Sequence, residues 1–135
     1  MGVDFGGKRI GIAFSDLSGT IATAYEVYVS QNEEKDIDYL TSLAKKREVS
    51  KVVFGLPLNA DGTESDQTRW TRDFATKFSE KSEIETDFED ERFSSLEAEE
   101  LLKEAKMNWK QRKLILDKVA AEIILQNYLN KNKKG

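Results

Sequence analysis

Residues 1–29 carry three apolar segments of period two, joined by turns of only a few residues. Connections that short make consecutive strands pair antiparallel, so the chain must begin as a meander. Val3 and Phe5 flank Asp4 on the first strand, Gly6-Gly7 supplies the positive φ of a tight hairpin, and Ile10, Ile12 and Phe14 alternate along the return strand. Ser15-Asp16-Leu17-Ser18-Gly19 is a second turn, and Ile21 to Val29 reads as a third strand. Period two also places Asp4 on the face opposite Val3 and Phe5. An Asp beside a glycine turn commonly bonds only local backbone, so a chemical role for Asp4 requires other acids to converge on it.

After Val29 the period changes. Within residues 30–50, Ile37, Leu40, Leu43 and Ala44 fall at helical spacing, with Glu33, Glu34 and Asp36 in the first turn and Lys45, Lys46 and Arg47 in the last. Lys51-Val52-Val53-Phe54-Gly55-Leu56 is a continuous apolar run, which suits a central parallel strand buried on both faces. Pro57 ends it, and the loop from Leu58 to Ser65 follows at the strand's carboxyl end, where α/β folds bind ligands. Asn59, Thr63 and Ser65 are candidates there for holding phosphate or a metal-bound water. A plain turn closed by Asp61-Gly62, with a Ser or Thr helix cap, fits the same residues.

Ser65 to Ser82 reads as a second helix, with Trp70, Phe74 and Phe78 as its core face. Ile84 to Phe88 reads as a fifth strand, and Asp90 and Glu91 fall in the loop after it. Ser94-x-x-Glu97 is a capping box that starts a third helix, with Ala98, Leu101, Leu102 and Ala105 on its apolar face. Met107-Asn108 separates it from a last helix over Trp109–Asn130. The order β-β-β-α-β-α-β-α-α predicts an α/β fold. Its five-stranded mixed sheet has three antiparallel strands and then two parallel, flanked by about four helices in a single domain over 1–135.

With no Cys and no His in 135 residues, disulfide frameworks, thiolate zinc sites and the commonest general base are excluded. No apolar run is long enough to span a bilayer and the first residues do not read as a signal peptide, so the expectation is a cytoplasmic protein with no membrane partner. Net charge is −4, yet residues 103–135 hold 9 basic and 3 acidic residues. A basic terminal segment on an acidic body fits nucleic-acid contact and fits a solvated Lys-rich helix equally. Between Leu114 and Leu125 only Asp117, Lys118 and Glu122 are polar. Lys118 and Glu122, four apart, mark the wet side, while Asp117 shares a stripe with Leu114, Ala121, Ile124 and Tyr128. A carboxylate facing inward is costly unless an internal Lys or Arg, or a cation, balances it. The adjacent acids Glu89-Asp90-Glu91 also need a counter-charge, which Arg92 or a metal supplies. Asp4, Asp90-Glu91 and Asp117 are therefore candidate ligands for Mg²⁺ or Mn²⁺, and such ions hydrolyse phosphodiesters without His.

The motifs Asp4-Phe5-Gly6-x-Lys8-Arg9-Ile10-Gly11, Gly55-Leu56-Pro57-Leu58-Asn59-x-Asp61-Gly62-Thr63, Asp90-Glu91-Arg92 and Asp117-Lys118-x-Ala120-Ala121 occur in one order over nearly the whole chain. In these the sequence resembles the YqgF/RuvX family of Holliday junction resolvase-like proteins, assigned as pre-16S ribosomal RNA nucleases, within the ribonuclease H-like superfamily. The resemblance implies a metal-dependent nuclease that processes the end of precursor 16S ribosomal RNA during ribosome biogenesis, with branched DNA as the alternative substrate. It implies Asp4, Glu91 and Asp117 as catalytic, the same three and Asp90 as metal ligands, and Lys8, Arg9, Asn59, Thr63, Arg92 and Lys118 as nucleic-acid contacts. Many ribonuclease H-like enzymes carry an acid where Gly55 stands, which leaves one or two metal ions open. The family also has residues before its Met-Gly, which implies a native start upstream of Met1. A monomer or weak dimer is expected. A non-catalytic RNA-binding factor for ribosome assembly or transcription is the second reading. The Asp-x-Gly hairpin also resembles a phosphate motif of actin-like kinases, which need two such domains.

Overall fold

The Gly6-Gly7 turn closes as a hairpin: Gly6 N donates to Arg9 O at 3.0 Å, and Gly7 takes φ +83°. It joins β1 (Gly2–Phe5) to β2 (Arg9–Ser15), antiparallel, with Asp4 opposite Gly11. β2 pairs antiparallel with β3 (Ala22–Val29) through a register shift at Ile12/Ala13. β1 pairs in parallel with β4 (Lys51–Leu56), and β4 in parallel with β5 (Glu85–Asp90). The sheet order is β3-β2-β1-β4-β5, the mixed arrangement that the sequence predicts. The structure, a computed structural model, describes residues 1–92 and 103–132, the side chain of Asp117 excepted. Three long helices lie among them: α1 (Glu33–Lys46), α2 (Asp66–Ser82) and α3 (Trp109–Lys131). The helix expected from the Ser94 capping box falls outside the described residues. Among the described residues no helix is long and apolar enough to cross a membrane.

Each helix starts where a side chain accepts a free backbone N–H. Asn32 caps α1, Ser65 caps α2 in a reciprocal box with Thr68, and Asn108 caps α3 in a box with Gln111. Alternation along the strands then splits the core in two. Val3, Ile10, Ile12, Val52 and Phe54 pack with Ile37, Leu40, Phe74 and Phe78 on the α1/α2 side. Ala13 and Val53 pack with Ala121, Ile124 and Leu125 on the α3 side. On that second side the sheet is trimmed to glycine: a Cβ at Gly2 would sit 2.7 Å from Leu125 Cβ and 3.0 Å from Ala121 O. The helix thereby lies close across all five strands.

Four expectations change. β5 runs on to Asp90, because pairing with β4 continues to Leu56↔Asp90; the acidic run has no apolar alternation to signal it. Trp70 is 60% exposed, whereas Phe74 and Phe78 are buried. Residues four apart advance 40° beyond a full turn, so a stripe of i, i+4 and i+8 drifts off the core face, which here runs through Thr68, Thr71, Phe74, Ala75 and Phe78. Leu114 is 61% exposed, lying before the part of α3 that the sheet covers. Glu122 is not merely solvated: Ala24 N donates to its Oε1 at 3.3 Å, on the edge strand β3.

Phe78→Ala should therefore cost about 3–5 kcal/mol of stability, whereas Trp70→Ala should cost about 0.5 kcal/mol or less. Chemical denaturation of the two variants checks the core assignment.

Candidate active site

Asp4 owes its direction to its neighbours. Val3 is fully buried, and the Phe5 ring stacks on Phe74 with centroids 4.4 Å apart, so both hold the α1/α2 side of the sheet. Asp4 between them must face α3. Glu91 reaches the same face from two strands away. Its N–H donates to Leu56 O at 3.2 Å, which extends the β4–β5 ladder by one residue. Its carboxyl then lies over Gly55 on β4, where a Cβ would come within 2.6 Å of Glu91 Oε2 and 2.3 Å of Ile124 Cδ1. The glycine thus leaves the space that the carboxyl occupies.

Across that space the Glu91 and Asp4 carboxyls share a hydrogen bond. Burial first, then the charge of Asp4, the hydrogen bond itself and the charge of Asp90, push the Glu91 carboxyl from its ordinary 4.5 up to about 8. At neutral pH the pair therefore holds one proton between two acids. Oxygen-only donors of this kind suit a hard divalent cation, which takes a proton's place between carboxylates. Among the described residues no group of three or more candidate ligands forms around the pair. The backbone of Asp117 lies on α3 between Lys113 and Ala121, one turn from each, and its side chain is outside the described residues.

Asp90 is turned to Arg92, which donates from its backbone N to Oδ1 at 2.9 Å and from Nε to Oδ2 at 2.8 Å. Arg92 Nη1 also donates to Ala60 O at 3.3 Å and lies against Gly62. Arg92 thus fastens the β4–α2 loop to the end of β5. Inside that loop Asn59 Nδ2 donates to Thr63 Oγ1 at 2.9 Å, and Thr63 Oγ1 donates to Asp61 at 2.6 Å. The Thr63 hydroxyl and N–H hold Asp61 below the usual carboxylate range, and with the Asn59 bond they stitch the loop closed.

Beside the pair opens a cleft of about 390 Å³ lined by Asp4, Gly6, Lys8, Arg9, Gly11, Val27 and Lys113. The sequence pointed to Lys8 and Arg9; Lys113 was visible only as part of the basic balance after residue 102. Among the described residues Lys8, Lys110, Lys113 and Lys118 pair with no carboxylate. Lys51, Lys77, Lys81, Lys131, Arg69 and Arg72 each do. Lys8 and Lys113 thus stand at the cleft with no carboxylate to neutralise them among the described residues; elsewhere, on α1, the same holds for Lys35, Lys45 and Lys46.

A family model described as "RuvX: Holliday junction resolvase" matches residues 1–131. The chain belongs to the RuvX family. A "Putative pre-16S rRNA nuclease" of Syntrophomonas wolfei is 44% identical over 135 residues, spanning 100% of this chain and 96% of the relative. Proteins of the same name in Halothermothrix orenii and a Wolbachia of Brugia malayi are 41% and 42% identical, over 99% and 97% of this chain and 96% and 84% of their own lengths. The mixed five-stranded sheet is the ribonuclease H-like fold of the RuvX family.

The Asp4–Glu91 pair links pH to stability. Because the folded state raises the Glu91 value from 4.5 to about 8, it holds that proton more tightly than the unfolded chain does. The stabilisation is full at low pH and is lost as pH rises through this window. With chelator present, the melting temperature should fall between about pH 5 and pH 8, and Glu91→Gln should flatten the fall. Thermal melts across that range check the sign.

Proposed function

We propose that this chain is a metal-dependent nuclease that hydrolyses phosphodiester bonds in RNA, acting in the cytoplasm on precursor 16S ribosomal RNA. The observation that carries the reading is the Asp4–Glu91 pair, held over Gly55 at the edge of a basic cleft. The names of the RuvX relatives supply the substrate.

Asp4 and Glu91 would hold Mg²⁺ or Mn²⁺, with Asp117 completing the set and Asp90 adjoining it. Such an ion lowers the pKa of a bound water and stabilises charge on the leaving oxygen. The remaining work falls to the chain. Lys8, Arg9 and Lys113 line the cleft on the Asp4 side, so phosphates drawn to them pass the carboxyl pair. Gly11, opposite Asp4 in the hairpin, adds no side chain to the cleft floor. Burial of Glu91 keeps water from screening the charges that form beside it. Arg92 keeps the β4–α2 loop against β5, which fixes one side of the site, and Asn59, Thr63 and Lys118 border the path of the strand. Branched DNA is a second substrate class, favoured by the description of the matching family model.

With Mg²⁺ or Mn²⁺, the protein should cleave precursor ribosomal RNA, and Asp4→Asn and Glu91→Gln should each abolish cleavage while RNA binding survives. A four-way DNA junction assayed in parallel separates the two substrates. Undiminished cleavage by Asp4→Asn would sink the reading. Arg9→Ala and Lys113→Ala should each lower the salt dependence of binding by a slope of about 1, read from affinities at several ionic strengths.

A further inference from the structure

α3 is 23 residues long, about 35 Å at the helical rise. The six residues of β4 span about 20 Å. Among the described residues the fully buried positions of the helix are Ala121, Ile124 and Leu125, whereas Trp109, Lys110, Gln111, Lys113 and Leu114 are exposed, so its first turns stand clear of the core on the side of the hairpin. Trp109 opens the helix there and is 64% exposed. Lys113 Nζ stands 5.4 Å from the centre of its ring. Arg9, Trp109, Lys110, Lys113 and Leu114 line a second cleft of about 250 Å³.

This second cleft is continuous with the first, since Arg9 and Lys113 line both. A path therefore runs from Asp4, between two cations, to an indole face left in water. Among the described residues Trp109 joins neither core cluster, and burial of its ring would remove much apolar surface from water. The surrounding charge selects the occupant. Lys110 and Lys113 pair with no carboxylate among the described residues, so the occupant brings negative charge and a flat apolar face together. An unpaired nucleotide has both; a base inside a duplex is already stacked and screened by its own backbone.

We propose that Trp109 is a stacking platform for an unpaired base of the strand whose phosphates Arg9 and Lys113 hold, so that this chain takes single-stranded RNA beside the bond it cleaves. The position of that base relative to the cleaved bond rests on the nuclease reading above; the stacking does not.

The chain has two tryptophans, so Trp70→Phe leaves Trp109 as the sole indole, and exposure of Trp70 makes that change mild. This protein is titrated in chelator with a ten-nucleotide oligoadenylate and with the same strand fully paired. The single strand should quench the fluorescence and the duplex should not. Trp109→Ala should weaken single-strand binding about tenfold at fixed salt, Trp109→Phe should restore most of it, and duplex affinity should be unchanged. Absence of quenching by the single strand, or equal affinity of Trp109→Ala and parent, would overturn the platform and leave the patch to a protein partner. The two readings separate cleanly. Quenching in a protein whose cleavage is indifferent to Asp4→Asn removes the nuclease and keeps the platform. Cleavage lost in Asp4→Asn, with Trp109→Ala binding like the parent, removes the platform alone.

Discussion

Two carboxyl groups within hydrogen-bonding distance on a half-buried sheet face repel each other whenever both are charged, and a proton or a cation must relieve that repulsion. The Asp4–Glu91 contact sets this condition, and the surrounding residues are arranged to keep it from relaxing. The flanking side chains of Val3 and Phe5 are locked into the opposite core, so β1 cannot turn Asp4 away. Glu91 is fixed by one more ladder bond to Leu56. Gly55 between them gives the pair its room, since any side chain there would meet both Glu91 and Ile124. The second acid of the pair thus comes from the end of β5 and leans over a glycine of β4.

The same trimming governs how the last helix sits. With Gly2 beneath Ala121 and Leu125, α3 lies close to the sheet and its second half is tied there by polar bonds. Tyr128 Oη donates to Asp87 at 2.7 Å, Lys131 Nζ to Glu89 at 2.6 Å, and Gln126 both accepts from Ala22 N and donates to Thr20 O at 2.9 Å. Glu89 is buried, so the Lys131 contact relieves a charge that would otherwise be costly. Because the anchors lie from Ala121 onward, the helix is held at one end and projects at the other. The projecting end carries the cations and the indole beside the cleft.

Much of this was legible from local pattern. The hairpin follows from period two and Gly-Gly, β4 from its unbroken apolar run, and the start of α2 from the cap at Ser65. Asp4, Asp90-Glu91 and Asp117 stood out by residue type and position, and only the family resemblance singled out Glu91. The sequence could not separate Glu91 from Asp90, because the strand boundary that divides their roles is set by pairing with β4 and not by the acidic residues themselves. Trp70 misled because i, i+4 spacing drifts around a long helix, so that three aromatics do not share one face. Lys113 and Trp109 escaped for another reason. Their exposure comes from a mismatch between helix length and strand length, a relation between distant segments that no local period reports.

An acidic chain that binds a polyanion is not a contradiction once the charge is placed. The acids on α1 and α2 lie across the sheet from the cleft, and several are matched: Glu33 with Lys77, Asp38 with Lys81 and Asp66 with Arg69, with Glu64 just before α2 matched by Arg72. At physiological ionic strength charges decay over about 8 Å, less than the roughly 10 Å that separates packed layers. A phosphate at the hairpin therefore meets Lys8, Arg9 and Lys113 before it meets the far face. The net charge of −4 governs the approach of the strand from a distance, where it is screened. The lysines without carboxylate partners govern contact, where it is not. Close to the Asp4–Glu91 pair the same logic reverses: the ionised carboxyl pair repels a phosphate unless a proton or a cation neutralises it, so the charge state of Asp4 and Glu91 and the entry of an anion are coupled through charge alone.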